Sequence, residues 1–241
     1  MSAARIRVVL VRPRGGANVG SVARAMKNMG MRDLVLVRPR ARRSQLARHM
    51  AVHAADVLDG ARVVESLDEA VAGCALVVGT TARRGRYHVG ARTPREAAGE
   101  IARRARRQRV ALVFGPEDHG LANDDLKRCH QLVTIPTSGD YASLNLAQAV
   151  MVCLYEIFVA QRSPERDDSG DDRPLAMAQR VTFLFSRLQE AFLRIGFLPP
   201  ENPDHIMFAV RRLFGRTGLE EREVRILLAL ARQIEWAARR R

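Results

Sequence analysis

IPTSGDYASLNLAQAV, residues 135–150, joins a turn rich in proline, glycine and aspartate to the start of an apolar helix. Ser143 and Asn145 stand immediately before that helix. The first backbone N–H groups of a helix have no partners within it, so they favour a polar or anionic ligand. The stretch therefore predicts a binding site at the start of a helix.

The helix that follows, residues 143–161, is apolar on nearly all of its sides. A helix without a broad polar face is normally buried on more than one side. Two explanations remain: the apolar surface of the helix is buried against a second copy of the chain, or in the core of the same molecule. The first of these predicts a homodimer.

Short β-branched runs alternate with amphipathic stretches through the first two thirds of the chain, which is typical of an α/β domain with a mostly parallel sheet. The predicted strands are Ile6–Val11, Leu34–Val37, Arg62–Val64, Ala75–Gly79, Val110–Phe114 and Gln131–Ile135. Capping boxes at Ser66–Glu69 and Thr93–Glu96 predict two helix starts, and Gly30 predicts a helix end.

A polar, acidic stretch at 162–174 predicts a flexible linker, because it has almost nothing to bury. Apolar residues then recur at helical spacing to the C-terminus. We therefore expect three parts: an α/β domain at 1–161, the linker, and a small all-α domain at 175–241.

The chain of 241 residues carries a net charge of +14, almost all of it from arginine. Such a field attracts polyanions, and nucleic acid is the expected partner. Arginine enrichment also follows from the base composition of the coding DNA, and a solvated helix face explains part of the run between residues 83 and 109. The loop arginines Arg83, Arg84, Arg86 and Arg92 are candidate RNA contacts.

Cys74, Cys129 and Cys153 are widely spaced and form no CxxC pair, so the pattern predicts neither disulfides nor a metal site. No segment approaches the roughly 20 apolar residues that a membrane span needs. We expect a soluble, cytoplasmic protein without a metal.

Three motifs lie at strand-to-helix transitions, where α/β sheets usually bind ligands. N-x-G-x-x-x-R is met by Asn18, Gly20 and Arg24, F-G-x-E-x-x-G-L by Phe114–Leu121, and I-P…S-L-N-x-A-x-A by Ile135–Ala149. In this order they resemble the motifs of the SpoU branch of the SPOUT RNA methyltransferases, and the resemblance covers about residues 5–160. The tail is similar to the helical extension of one subgroup, which methylates the ribose at position 32 of the tRNA anticodon loop.

The resemblance implies a sheet whose C-terminal part forms a trefoil knot, S-adenosylmethionine as cofactor, and a dimer with its interface beside that cofactor. It implies catalytic roles for Arg24, Asn18 and Ser143. The implied cofactor-binding residues are Thr80, Gly115, Glu117, Gly120, Ile135, Leu144 and Asn145, and the expected RNA contacts in the tail are Arg222, Arg225 and Arg232. An alternative for Glu117 is a purely structural role, in which its carboxylate only stabilises the loop that carries it.

Arg24 is a poor proton acceptor because a guanidinium is effectively always protonated. We expect it instead to hold a substrate phosphate and to stabilise the developing alkoxide. Three alternatives stay open: methylation of another RNA, such as tRNA at position 18 or ribosomal RNA; a non-catalytic RNA-binding protein; and a nucleotide-cofactor oxidoreductase. The third is disfavoured because residues 15–20 lack the G-x-G-x-x-G spacing.

Overall fold

The structure, a computed structural model, describes residues 5–40, 44–82, 91–138, 143–162, 174–215 and 218–239. Its centre is a six-stranded parallel sheet in the order β3-β2-β1-β5-β4-β6. The strands are β1 Ile6–Val11, β2 Asp33–Val37, β3 Arg62–Val64, β4 Leu76–Thr80, β5 Val110–Phe114 and β6 Gln131–Val133. The predicted α/β class is confirmed.

Strand ends differ from the prediction by one or two residues, most clearly at β6. This strand ends at Val133 instead of Ile135 because the next N–H group, that of Thr134, donates to the carbonyl of Arg92 and not to β4. The segment around Arg92 therefore lines the free edge of β6.

Helices cover both faces of the sheet. They are α1 Gly16–Asn28, α2 Gln45–Ala51, α3 Ala55–Asp59, α4 Leu67–Val71, α5 Pro94–Ala105, α6 Asn123–Leu126, α7 Leu146–Arg162, α8 Ala178–Arg194, α9 Pro203–Gly215 and α10 Glu221–Ala238. Helices α1, α5 and α7 share one apolar cluster with the sheet, while α4, α6 and the start of α8 lie in the cluster of the opposite face. Strands β1 and β5 are buried along their whole length, which explains their mainly apolar sequences; the charged exception, Arg7 of β1, pairs with Asp33.

The predicted helix signals are confirmed with one difference. Thr93 and Glu96 form the full capping box at the start of α5, and Gly30, with φ of +72°, follows the end of α1. Ser66 accepts the N–H of Glu69, but the Glu69 carboxylate takes the N–H of Glu65 and not that of Ser66. Of the two bonds of the Ser66–Glu69 capping box, therefore, only the one from the Glu69 N–H to the Ser66 side chain forms.

Helix α7 begins at Leu146, three residues later than predicted, because Asn145 caps it by accepting the N–H groups of Ala147 and Gln148. One side of α7 packs on α1 and α5. Its other side leaves Val152, Tyr155 and Val159 exposed by 37%, 53% and 41%. The core of the same molecule thus covers part of this helix, and the homodimer stays a prediction.

Helices α8, α9 and α10 share an apolar cluster of their own, which confirms the helical periodicity of the tail. The tail is also tied to the sheet: Gln108 bonds both the N–H and the carbonyl of Leu175, and the N–H of Ala178 donates to Cys74. Nearly all of the predicted linker, residues 163–173, lies outside the described residues. Within the described ranges, no helix is long and apolar enough to cross a membrane.

Candidate active site

A cavity of about 380 Å³ opens at the carboxyl ends of β4, β5 and β6. It lies where ligands bind in open parallel sheets. Seven of the site residues that the resemblance implies line it: Thr80, Gly115, Glu117, Gly120, Ile135, Ser143 and Leu144. Of the predicted catalytic and cofactor set, only Asn18, Arg24 and Asn145 lie outside its wall.

The loop after β5 owes its shape to two glycines. A Cβ on Gly115 would stand 2.1 Å from the carbonyl carbon of Gly120, far inside contact distance. Gly120 has φ of +69°, a conformation that other residues adopt only with strain, and its N–H donates to Pro116 at 2.9 Å. The glycines of the second motif therefore let this loop fold tightly on itself beside the cavity.

One hydrogen-bonded chain connects all three motifs. The Asn18 amide donates to Glu117 Oε1 at 2.8 Å, and the Asn18 carbonyl oxygen accepts from the Asn145 amide at 2.9 Å. Glu117 also accepts the N–H groups of Arg14 and Gly15 at 3.0 and 3.1 Å. The start of α1, the loop after β5 and the cap of α7 are thereby held in one arrangement.

The Glu117 carboxylate is held in its charged form by these donors. Burial alone would raise its pKa, but the hydrogen bonds from Asn18 and from the N–H groups of Arg14 and Gly15 outweigh burial and keep the pKa below its usual value. Glu117 thus connects its loop to the start of α1 and presents a negative charge at the wall of the cavity.

Asn18→Asp is expected to damage this network more than Asn18→Ala. It places a second carboxylate where the amide now donates to Glu117 at 2.8 Å. At about pH 8 we expect a loss of about 1–3 kcal/mol of stability relative to Asn18→Ala.

The difference between the two variants should shrink towards about pH 5, because a carboxyl with a raised pKa in the folded state stabilises that state as it takes up a proton. Thermal unfolding of both variants at the two pH values measures it. Equal melting temperatures at the higher pH would contradict the proposed network.

Arg24 does not reach the cavity wall in a single chain. It is exposed on α1, about 9 Å farther along the helix axis than Asn18. No described residue bonds its guanidinium. Gly20, the glycine of this motif, allows α1 and α2 to pack closely, because a Cβ there would lie 2.1 Å from the carbonyl oxygen of Ala47 on α2.

The predicted RNA contacts fall into three groups. Arg83, Arg84 and Arg86 lie outside the described residues. Arg92 bonds Glu100 at 2.6 Å, so part of its donor capacity is used within the protein. The last group, Arg222, Arg225 and Arg232, is exposed on one side of α10.

Some residues of the site were not singled out by sequence reasoning. Leu146 and Ala149, from the first turn of α7, line the cavity, as does Val133 of β6. Asp118 also lines it and pairs with Arg14 at 2.5 Å. The third motif contained the signal for Leu146 and Ala149, but which side of the helix faces the ligand depends on how α7 packs. No group of three or more His, Cys, Asp or Glu suited to a metal occurs among the described residues.

Comparison with known proteins agrees with this geometry. The model of the SpoU rRNA methylase family matches residues 5–155, which include all three motifs. The chain belongs to the SpoU methylase family. The model of the C-terminal domain of the tRNA methyltransferase TrmJ matches residues 179–241, the part that forms α8 to α10.

The SpoU relatives cover nearly the whole chain. A protein from Pseudomonas aeruginosa (strain UCBPP-PA14), named tRNA (cytidine/uridine/adenosine-2′-O-)-methyltransferase TrmJ, is 40% identical over 98% of this chain and 95% of its own. A tRNA (cytidine/uridine-2′-O-)-methyltransferase TrmJ from Klebsiella pneumoniae (strain ATCC 700721 / MGH 78578) is 39% identical over 95% and 96%. The crystal structure of TrmJ from Z. mobilis ZM4 superposes with a TM-score of 0.80 at 33% identity, covering 95% of this chain and 98% of that one.

Proposed function

We propose that this protein transfers a methyl group from S-adenosylmethionine to a ribose 2′-hydroxyl of tRNA, at position 32 of the anticodon loop. The observation that carries the proposal is the hydrogen-bonded chain of Glu117, Asn18 and Asn145 beside the cavity. The names of the relatives, which match along nearly the whole chain, supply the substrate class.

The cavity has a chemistry that suits this cofactor. Leu121, Val133, Ile135 and Leu144 offer apolar surface to an adenine ring, and the backbone of the loop after β5 offers polar groups at its edges. When bound, S-adenosylmethionine supplies a methyl group on a positively charged sulfur. The ionised Glu117 at the wall favours a cation at that place.

The side chains of the protein orient the ribose and favour loss of the proton from its 2′-hydroxyl. Ser143, exposed at the cavity wall, can hydrogen-bond the reacting hydroxyl. Asn18 and Asn145 keep this segment fixed relative to α1. Arg24 binds the neighbouring phosphate and stabilises the alkoxide that develops on the ribose oxygen.

We infer that a second copy of the chain completes the site. Val152, Tyr155 and Val159 form an exposed apolar strip on α7, which a partner subunit would bury. Helix α1, which carries Arg24, packs beside α7. A partner seated on the strip lies close to the exposed side of α1. This explains why Arg24 lies outside the cavity of its own chain.

The dimer is tested by charging the strip. The double variant Val152→Asp, Tyr155→Asp should sediment as a monomer of 26.9 kDa, whereas the unaltered protein should have twice that mass. The control is Ile226→Asp on α10, an apolar residue that is exposed by 58% and lies on another helix; this variant should remain dimeric. A monomeric unaltered protein at micromolar concentration would rule out the interface.

The finer features of the fold belong to the same proposal. We assign 1–161 to the methyltransferase domain, 162–174 to a linker, and 175–241 to an all-α domain that binds tRNA. The trefoil knot that the resemblance implies is part of the same proposal and is supported by membership of the SpoU family. Another RNA target, such as tRNA position 18 or ribosomal RNA, is the second candidate, supported by the breadth of the family name.

Transfer of labelled methyl groups tests the activity directly. The purified protein and labelled S-adenosylmethionine should label unmodified tRNA and leave ribosomal RNA unlabelled. Label in ribosomal RNA alone would favour the second candidate, and no label in either RNA would refute the proposal.

A further inference from the structure

A second cavity, of about 240 Å³, lies between the edge of the sheet and helix α9. His130 and Leu132 border it on the side of β6, and Phe208 and Arg211 border it on the side of α9. The two sides approach closely at Gly215, where a Cβ would lie 2.4 Å from the carbonyl oxygen of His130. The space is far larger than the roughly 10–15 Å³ needed by one water.

The carboxylates around this cavity are already engaged by other cations. Lys127 pairs with Asp124 at 2.9 Å and with Asp204 at 2.5 Å. Arg128 pairs with Asp68 at 2.9 Å. Asp204 and Asp68 lie near enough to favour the charge of Arg211, but among the described residues neither forms a direct ion pair with it.

Arg211 is a further cation at this cavity. Its guanidinium lies over the ring of Phe185, 4.8 Å from the ring centre, and no acidic side chain among the described residues forms an ion pair with it. Burial lowers its pKa from the usual value. A half-buried guanidinium without a direct ion pair is less favourable than an exposed one, so its N–H donors are suited to an anionic ligand.

The stacking on Phe185 also prepares Arg211 to bind a ligand. An aromatic ring against the flat face of a guanidinium fixes its plane and leaves the N–H donors, which lie in that plane, free to act. In-plane donors of this kind match two oxygens of a phosphate.

We propose that Arg211 binds a backbone phosphate of the RNA substrate in this cavity. The inference rests on the proposed function and adds a contact far from the methyl-transfer site. Leu132 lines this cavity and the adjacent Val133 lines the candidate active site, so the two cavities meet at neighbouring residues of β6. An RNA strand held by Arg211 therefore runs beside the strand that borders the reaction site.

The test compares tRNA binding by Arg211→Met and by the unaltered protein over a range of salt concentrations. Methionine keeps the apolar contact with Phe185 but lacks the charge. At about 0.1 M salt we expect affinity to fall about tenfold, and the slope of log affinity against log salt to become shallower by roughly 0.7–0.9, the value for one lost phosphate contact. Arg211→Lys keeps the charge, so its slope should match that of the unaltered protein.

The matched control is Arg62→Met on β3, at the opposite edge of the sheet, which removes an exposed arginine and should change affinity less than twofold. Cofactor affinity and melting temperature of each variant are measured in parallel. Because Arg211→Met removes a half-buried charge that has no direct ion pair among the described residues, its melting temperature should not fall. A lower melting temperature together with unchanged tRNA binding would assign Arg211 a purely structural role and overturn the proposal.

Adenosine monophosphate separates an RNA phosphate from a free one. If it raises the melting temperature of the unaltered protein but not of Arg211→Met, while tRNA binding is the same for both, the cavity binds free phosphate esters and the proposal is wrong. If the unaltered protein methylates tRNA and Arg211→Met binds tRNA equally well, only this inference fails. If the unaltered protein methylates no RNA but Arg211→Met still loses tRNA affinity, the proposed function fails and the phosphate site stands.

Discussion

Arg24→Ala is expected to lower kcat for methyl transfer by at least about 100-fold, the usual effect of removing a group that stabilises developing negative charge. The affinity for S-adenosylmethionine should stay within about twofold, because Arg24 does not line the cavity. Arg24→Lys should restore little, since a point charge does not reproduce the planar fork. Single-turnover kinetics and calorimetric titration with the cofactor measure the two quantities.

Lys27→Ala is the matched control for Arg24. Lys27 lies one turn farther along α1 and pairs with Asp56 at 2.8 Å, away from the cavity. Its loss removes the same charge from the same helix and should leave kcat within about threefold. If Arg24→Ala lost cofactor binding as completely as turnover, Arg24 would belong to the cofactor pocket and its assigned role would be wrong.

Gly115→Ala is expected to weaken cofactor binding by at least about 100-fold, because a shift of about 1 Å in a binding loop is enough for losses of this size. The added Cβ would stand 2.1 Å from the carbonyl carbon of Gly120 and 2.2 Å from the N atom of Leu121. Both are backbone atoms, so the loop itself must move, and Glu117 moves with it. Calorimetry with S-adenosylmethionine gives the affinity directly.

Gly99→Ala separates this effect from a general intolerance of alanine. Gly99 lies inside α5 with nothing within 4 Å of an added Cβ, so the substitution should stabilise the protein by about 0.5–1 kcal/mol and leave cofactor affinity unchanged. A Gly115→Ala protein that binds the cofactor within threefold of the unaltered protein would show that the close approach to Gly120 is not required.

The sheet could be predicted from the sequence because its strands are short runs of mainly apolar residues. β1 and β5 are buried on both faces, which the runs Ile6–Val11 and Val110–Phe114 express directly. The end of β6 could not be predicted, because it depends on the bond from Thr134 to Arg92, a contact between distant parts of the chain.

The residues of the candidate site could be predicted more readily than their contacts. The motifs identified Asn18, Glu117 and Asn145, but nothing in their spacing indicates that the Asn18 amide bridges the other two. Arg24 shows the opposite case, since its motif suggested the reaction site and the structure leaves it outside the cavity. Arg211 had no sequence signal, because its stacking on Phe185 and its place at the second cavity become visible only when α9 docks beside β6.

The most direct test of the proposed function is to map the methyl group that the protein adds to tRNA. Unmodified tRNA would be incubated with the protein and labelled S-adenosylmethionine, beside a matched tRNA with a 2′-deoxyribose at position 32. We expect a 2′-O-methyl group at position 32 of the first tRNA and none in the second. Equal labelling of both tRNAs, or a methyl group on a base, would contradict ribose methylation at that position.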